Sequence, residues 1–404
     1  MGLAKQEGIE ARERGWSGPD DKLVCADCVD DTYLKSVVEA HMAGTTCSYC
    51  ERTDSKAIAA PVEVLIDAVF NTVCYLFSEP TEAGVPSEGG AFRVELICTD
   101  DVLHSLPLDC EHELFEDIVN SFNNDYWVPA ASGHWFSLHE HEVLTDSWSS
   151  FVSSVRHETR FHFQLAPRSP SAGPQEVAPD CILPTLGRLI DASGLVRRID
   201  ADRLLYRVRL RARGDTWEPV AGQVGAPPLD RARAGRMNPA GIPYLYVALD
   251  KATALAETVS SPPIETVIAT FRATRKLTVV DLTDLPPLPS VFDELRRGDR
   301  EALMFLRSFA LEISRPVTKD GSEHVDYVPS QVVSEYFAQV FQPSEGIAGI
   351  DGLLFPSAVR PGGKNLVLFP SNRGCQRTFD MVDFVSVETR QMNHWRDLVQ
   401  ALNV

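Results

Sequence analysis

Two cysteine pairs near the start, Cys25-Ala-Asp-Cys28 and Cys47-Ser-Tyr-Cys50, constrain this chain more than any other feature. A gap of two residues lets one tight turn present both thiolates to the same ion, and two such turns complete a tetrahedral four-sulfur site. The 18 residues between the pairs fall in the range for structural zinc. The other reading, free thiols or a redox pair, lacks a thioredoxin-like strand context. The zinc is expected to be structural, because an all-thiolate site leaves no open position for water or substrate. It would hold residues 1–57, a polar segment that cannot build its own core.

The other cysteines, Cys74, Cys98, Cys110, Cys181 and Cys375, are scattered and read as small buried apolar residues. The first 20 residues lack the apolar core of a signal peptide, and no run of 18 apolar residues occurs, so the cytoplasm is the expected location. Nine cysteines in that compartment argue against a disulfide framework. A net charge of −19 disfavours tight nonspecific binding to duplex DNA or anionic membrane. It leaves room for a local basic pocket that takes one nucleotide.

At 404 residues the chain exceeds one hydrophobic core, so two or more domains are expected. After residues 1–57, a helical domain spans 58–166, a Pro- and Ser-rich linker 167–181, and a mixed domain 182–404. Helices are predicted over Asp30–Met42, Pro61–Phe77, Glu111–Phe122 and Ser147–His157, and several helices with short strands at most suggest a small bundle. The mixed domain opens with a helix at Ile182–Leu195. Strands are predicted at Leu205–Leu210, Tyr244–Leu249, Ile264–Phe271, Leu277–Leu282, Gly352–Phe355 and Leu366–Phe369. Helices are predicted at Lys251–Val259 and Gln331–Phe341. Strands and helices do not alternate regularly, so the fold class is α+β.

Chemistry-bearing residues cluster after residue 200. Arg207 lies inside an apolar strand, which is costly unless it meets an anion. Arg236 sits among the turn formers of Gly235–Pro243. Tyr244 and Tyr246 alternate on the strand that follows, so one of them belongs to the core. Glu257 ends the helical Thr253–Glu257 turn, and Ser357 and Asn365 lie in or beside turns. Arg209, Arg211 and Arg213 read as an exposed strand face.

The blocks YRVR, GRMNPAGIPYLYVAL, TALAE, DYVPSQ, DGLLFPSA and GGKNLVLF occur here in order. Together they resemble the RES domain family over residues 203–390. The resemblance implies a fold like that of ADP-ribosyltransferase toxins, with NAD⁺ as substrate and toxin-like depletion of NAD⁺ by hydrolysis or phosphorolysis. It makes Glu257, Arg207 and Ser357 the catalytic set, with Arg207, Arg236, Tyr246 and Asn365 binding NAD⁺. Met237 departs from the aromatic that stand-alone members often carry there.

The chemistry is consistent with that assignment. Arginine donates bidentately to pyrophosphate, and a tyrosine face attracts the cationic nicotinamide ring. Cleavage at the ribose C1′ builds an oxocarbenium ion that a carboxylate stabilises. Two further readings stand beside this one: ADP-ribose transfer to a macromolecule, and ribonuclease chemistry. The second draws on Arg156–His162, which resembles the Arg-polar-x-His signature of HEPN domains, with Arg156 and His162 as the matched pair. HEPN-like domains with cysteine pairs also resemble the segments that precede RES domains. The resemblance further implies a regulatory protein or antitoxin as partner, and self-association. His134, His139 and His141 carry no assignment.

Overall fold

The computed structural model describes residues 13–89, 91–165, 175–212, 214–259, 261, 264–316, 321–344, 346, 349–373, 376–378 and 380–402. Cys375, Arg213 and linker residues 167–174 lie outside them. The chain forms two compact units, one of residues 1–142 with 288–301, the other of residues 143–287 with 302–404.

In the first unit the cysteine pairs come first. Strand β1 (Leu23–Cys25) runs antiparallel to β2 (Ala59–Pro61). Helix α1 (Thr32–Ala40) starts at Asp31, whose carboxylate caps the amides of Tyr33 and Leu34. Helix α2 (Val62–Leu76) turns Leu65, Ile66, Val69 and Val73 inward, the helical spacing read from the sequence. Helix α3 (His112–Ser121) adds Leu114 and Ile118 to the same core. Three short strands, Phe77–Ser78, Ile97–Cys98 and Tyr126–Pro129, pair beside the helices, short as the sequence reading allowed. The sequence also gave no sign that Val291 and Phe292 return to this core.

Helix α4 (Glu140–His157) is longer than predicted. From Val143 onward it belongs to the second unit. Its Leu144, Trp148, Phe151 and Val155 pack with α5 (Ile182–Ala192) and with Phe305 and Phe309.

The second unit is built on one eight-stranded sheet, which fits the α+β class. Its strands are β3 (Val196–Ile199), β4 (Leu204–Arg211), β5 (Leu245–Ala248), β6 (Ile264–Ala273), β7 (Leu277–Asp281), β8 (Gly352–Pro356), β9 (Lys364–Leu368) and β10 (Val382–Met392). The spatial order is β10-β6-β4-β5-β9-β8-β7-β3. All neighbours are antiparallel except β7 and β8. Side chains alternate between two cores, as a strand requires. Leu353, Phe355 and Val367 face the helical layer, while Leu354, Leu366 and Leu368 face the other side. Helices α6 (Lys251–Thr258), α7 (Arg297–Ser314) and α8 (Val328–Gln339) complete the elements used below.

Among the described residues, the scattered cysteines are not the buried apolar residues expected. Cys74 and Cys181 are exposed, and Cys98 and Cys110 half-buried. Cys98 does local polar work instead, capping the helix Thr99–Ser105 through the Asp101 amide. The predicted exposed arginine face is partly engaged as well. Arg209 and Arg211 lie over Trp217, and Arg211 pairs with Glu265.

Candidate functional sites

The four thiols of the first unit converge. Cys25, Cys28, Cys47 and Cys50 each place a sulfur within 4.8 Å of the others, and all but Cys50 are buried. The Sγ–Sγ distances are 3.6 Å for Cys25–Cys28, 3.5 Å for Cys25–Cys50 and 3.6 Å for Cys28–Cys47. Tetrahedral coordination at about 2.3 Å requires sulfur edges of about 3.8 Å, close to what these thiols adopt. Burial pushes the Cys25 thiol up to about 11 and raises Cys28 as well. At Cys47 burial acts in the same sense but is overcome by backbone amides of Cys50, Tyr49 and Cys25, which bring the thiol to about 7. The cluster can hold a metal ion.

In the second unit, the sheet is weakly joined between β4 and β5, where Tyr206 and Ala248 form the single registered pair. On its other side β4 pairs with β6 over eight positions. Beside this split lies a cavity of about 500 Å³ whose walls include Arg207, Arg236, Tyr246, Glu257 and Asn365. That volume is in the usual range of a small-molecule site.

Glu257 reaches the cavity because Asp250 starts α6 where it does. The Asp250 carboxylate caps the Thr253 amide at 2.8 Å, and the helix then ends one residue beyond Glu257. One oxygen, Oε1, accepts both the Ser357 hydroxyl at 2.7 Å and the Asn365 amide at 2.6 Å. Asn365 comes from β9, and Ser357 follows β8. Amides of Val359 and Arg360 donate to Ser357 Oγ, so its one proton is directed to the carboxylate. Gly363, at the base of this loop, has no room for a side chain, since a Cβ would stand 2.6 Å from Thr253 Oγ1.

Arg207 is the electrostatic anomaly. Its Nη1 is buried without a hydrogen-bond partner. Burial, then the nearby Arg209, pull its guanidinium down to about 10, so it stays charged at neutral pH. An unpaired buried cation is costly, and an arriving anion would relieve that cost. Arg207→Met is therefore expected to raise the melting temperature of the free protein by a few degrees, since a point change of about 1 kcal/mol moves Tm that far. A thermal denaturation series on both proteins checks this, and a lower melting temperature for the variant would contradict this account.

Arg236 donates to the Ser314 carbonyl at 2.8 Å, and its turn is closely knitted. Asn238 donates to the carbonyls of Arg233, Pro239 and Ile242. Gln331 reaches the Gly235 and Asn238 carbonyls from α8. The Tyr246 hydroxyl donates to Asn238 Oδ1 at 2.8 Å and accepts the Met237 amide at 2.9 Å. Burial holds that phenol well above its ordinary value. Gly235 is needed because a Cβ there would lie 2.7 Å from Asn238 Oδ1. Tyr246 thus offers its ring to the cavity while its hydroxyl holds the arginine turn. Tyr244 is the core member of the pair, packed 5.0 Å from the Phe369 ring. Asn238 and Gln331 lie inside motifs visible in the sequence, yet their roles depend on contacts that only the fold supplies.

Of the Arg156 and His162 pair, the arginine has an acidic neighbour of its own. Arg156 faces Asp326, 3.5 Å from its carbonyl and 3.7 Å from its carboxylate. His162 is exposed and lines none of the cavities described here. Of the unassigned histidines, His141 donates its backbone amide to the buried Glu301 at 2.9 Å, and its Nδ1 lies 2.6 Å from the same carboxylate.

The second unit is thus an α+β domain whose sheet opens onto a cavity lined by two arginines and a hydrogen-bonded acid. The chain matches the family model of the RES domain over residues 204–385 and that of HEPN/RES N-terminal domain 1 over residues 40–169. It therefore carries a HEPN/RES N-terminal domain followed by a RES domain. No curated protein and no solved structure matches it. Among the described residues, no helix is long and apolar enough to cross a membrane.

Proposed function

We propose that the RES domain binds NAD⁺ in the 500 Å³ cavity and breaks the bond between nicotinamide and ribose, as a toxin-like, NAD⁺-consuming enzyme of the cytoplasm. One observation carries this reading. Glu257 is held on one oxygen by Ser357 and Asn365, in the same cavity as the unpartnered Arg207. A cation awaiting an anion and a fixed carboxylate are what a pyrophosphate and a developing sugar cation require.

In this mechanism Arg207 and Arg236 hold the pyrophosphate, and the Tyr246 ring lies against the nicotinamide. As the C1′–N bond breaks, its electron pair leaves with nicotinamide, which departs neutral and needs no general acid. Glu257 stabilises the positive charge at C1′, and its Oε2 is available to a ribose hydroxyl or the incoming nucleophile. Water adds to C1′ and gives up a proton, yielding ADP-ribose; inorganic phosphate in its place yields the sugar phosphate. In the first unit the cysteine cluster holds one structural zinc. The N-terminal region restrains the enzyme or answers to a regulatory protein or antitoxin, and self-association is compatible with that role.

The test is incubation of purified protein with NAD⁺ labelled in the ADP-ribose moiety, following free nicotinamide and the label. Nicotinamide release with the label on ADP-ribose or its phosphate is expected. Label on protein or nucleic acid would make the domain a transferase, and absence of release would overturn the reading. Ribonuclease chemistry has less support, because Arg156 faces Asp326.

A further inference from the structure

We propose that a second cavity, built around Arg156, receives the adenosine-side phosphate of the dinucleotide; this rests on the NAD⁺ reading above and deepens it. The cavity encloses about 250 Å³ and shares Arg236, Pro316 and Tyr327 with the cavity of Glu257. The two spaces therefore lie side by side, with Arg236 in the common wall. A dinucleotide with its nicotinamide ribose at Glu257 and its nicotinamide-side phosphate at Arg207 brings the second phosphate of the same pyrophosphate to Arg236, where it faces this space.

The lining suits a phosphate. Arg156, Arg236 and Arg315 face Glu312 and Asp326, three positive groups against two negative, a balance of +1. Both carboxylates already have partners. Glu312 accepts the Trp148 indole N–H at 2.6 Å, and Asp326 accepts the Ser322 hydroxyl at 3.2 Å. Arg156 is under-satisfied: its Nε is buried with no hydrogen-bond partner, and its Nη2 reaches Asp326 only at 3.5 Å and beyond. A phosphate oxygen pair meeting the Nε edge of a planar guanidinium would supply the missing acceptors. Arg156 stands on α4, inside the stretch matched by the HEPN/RES model. By this proposal the N-terminal region lends the RES domain a substrate-binding arginine.

Calorimetric titration of the full-length protein with AMP tests the proposal without requiring turnover. Wild type should bind AMP, and Arg156→Gln should weaken binding about ten- to a hundredfold, the usual worth of a charged hydrogen bond. Arg315→Gln, altering an exposed side chain, should weaken it too, and it decides the matter if the Arg156 variant does not fold. In turnover, Arg156→Gln should lower the ratio of kcat/KM for NAD⁺ to kcat/KM for nicotinamide mononucleotide by a similar factor. Unchanged AMP affinity in a folded Arg156→Gln protein would overturn the proposal. So would inorganic phosphate binding as tightly as AMP, which would mark a free-phosphate site. AMP binding that depends on Arg156 in a protein releasing no nicotinamide would support the subsite and sink the enzymatic reading instead.

Discussion

Replacing Glu257 by alanine is expected to cut nicotinamide release from NAD⁺ by about a hundred- to a thousandfold, the usual loss when a preorganised group facing developing charge is removed. The effect should fall on kcat, because the carboxylate meets its full opposite charge only as the C1′–N bond breaks. NAD⁺ binding through Arg207 and Arg236 should persist. The residue is exposed and sits in the last turn of α6, so the melting temperature should barely move. Ser357→Ala should give a smaller loss, about tenfold, since Asn365 still holds the same oxygen. Steady-state kinetics on the three proteins decide this. Equal turnover in Glu257→Ala and wild type would remove Glu257 from the reaction.

The second large effect concerns the metal. Cys47→Ser should lower the zinc content from about one per chain to near none, because a four-thiolate site rarely survives the loss of a ligand. Structural zinc contributes roughly 10–16 kcal/mol in small metal-folded modules, comparable with the whole stability of an ordinary domain at about 5–15 kcal/mol. Without it, β1 and β2 meet only over three residue pairs, and α1 lies between the two knuckles. Hydrogen exchange should therefore show protection lost across Leu23–Cys25, Thr32–Ala40 and Ala59–Pro61. Chelation of the wild type should do the same. Metal-free protein with full protection in these segments would show that the cysteines are dispensable to the fold.

Much of this was legible before the structure, for physical reasons. The Cys-x-x-Cys spacing is a local property, and so is the helical period of Leu65, Ile66, Val69 and Val73. Tyr244 and Tyr246 are two residues apart and so share a face of the strand; both pack toward the same core, and alternation alone does not say which of them reaches the cavity. What escaped the sequence is non-local. The long strand β10 has the broken burial pattern of a half-exposed edge, with polar residues interspersed, and carries no apolar run to mark it. Helix α7 begins among charged residues, Arg297-Gly298-Asp299-Arg300-Glu301, that hid its apolar face. That Ser357 and Asn365 converge on one oxygen of Glu257 depends on β8 pairing with β9, and no spacing along the chain encodes that meeting. Arg156 lies beside the RES cavities because α4 packs in the second unit from Val143 onward, whereas the sequence grouped it with the helices before the linker.

The central claim, a single pocket that grips the dinucleotide through Arg207 and Arg236 and presents Glu257 to the sugar, is tested most directly by a crystal structure of the Glu257→Gln protein soaked with NAD⁺. The pyrophosphate should lie on the guanidinium groups of Arg207 and Arg236, with the nicotinamide ribose C1′ facing residue 257. Dinucleotide bound elsewhere, or a pocket that stays empty at saturating NAD⁺, would contradict the account.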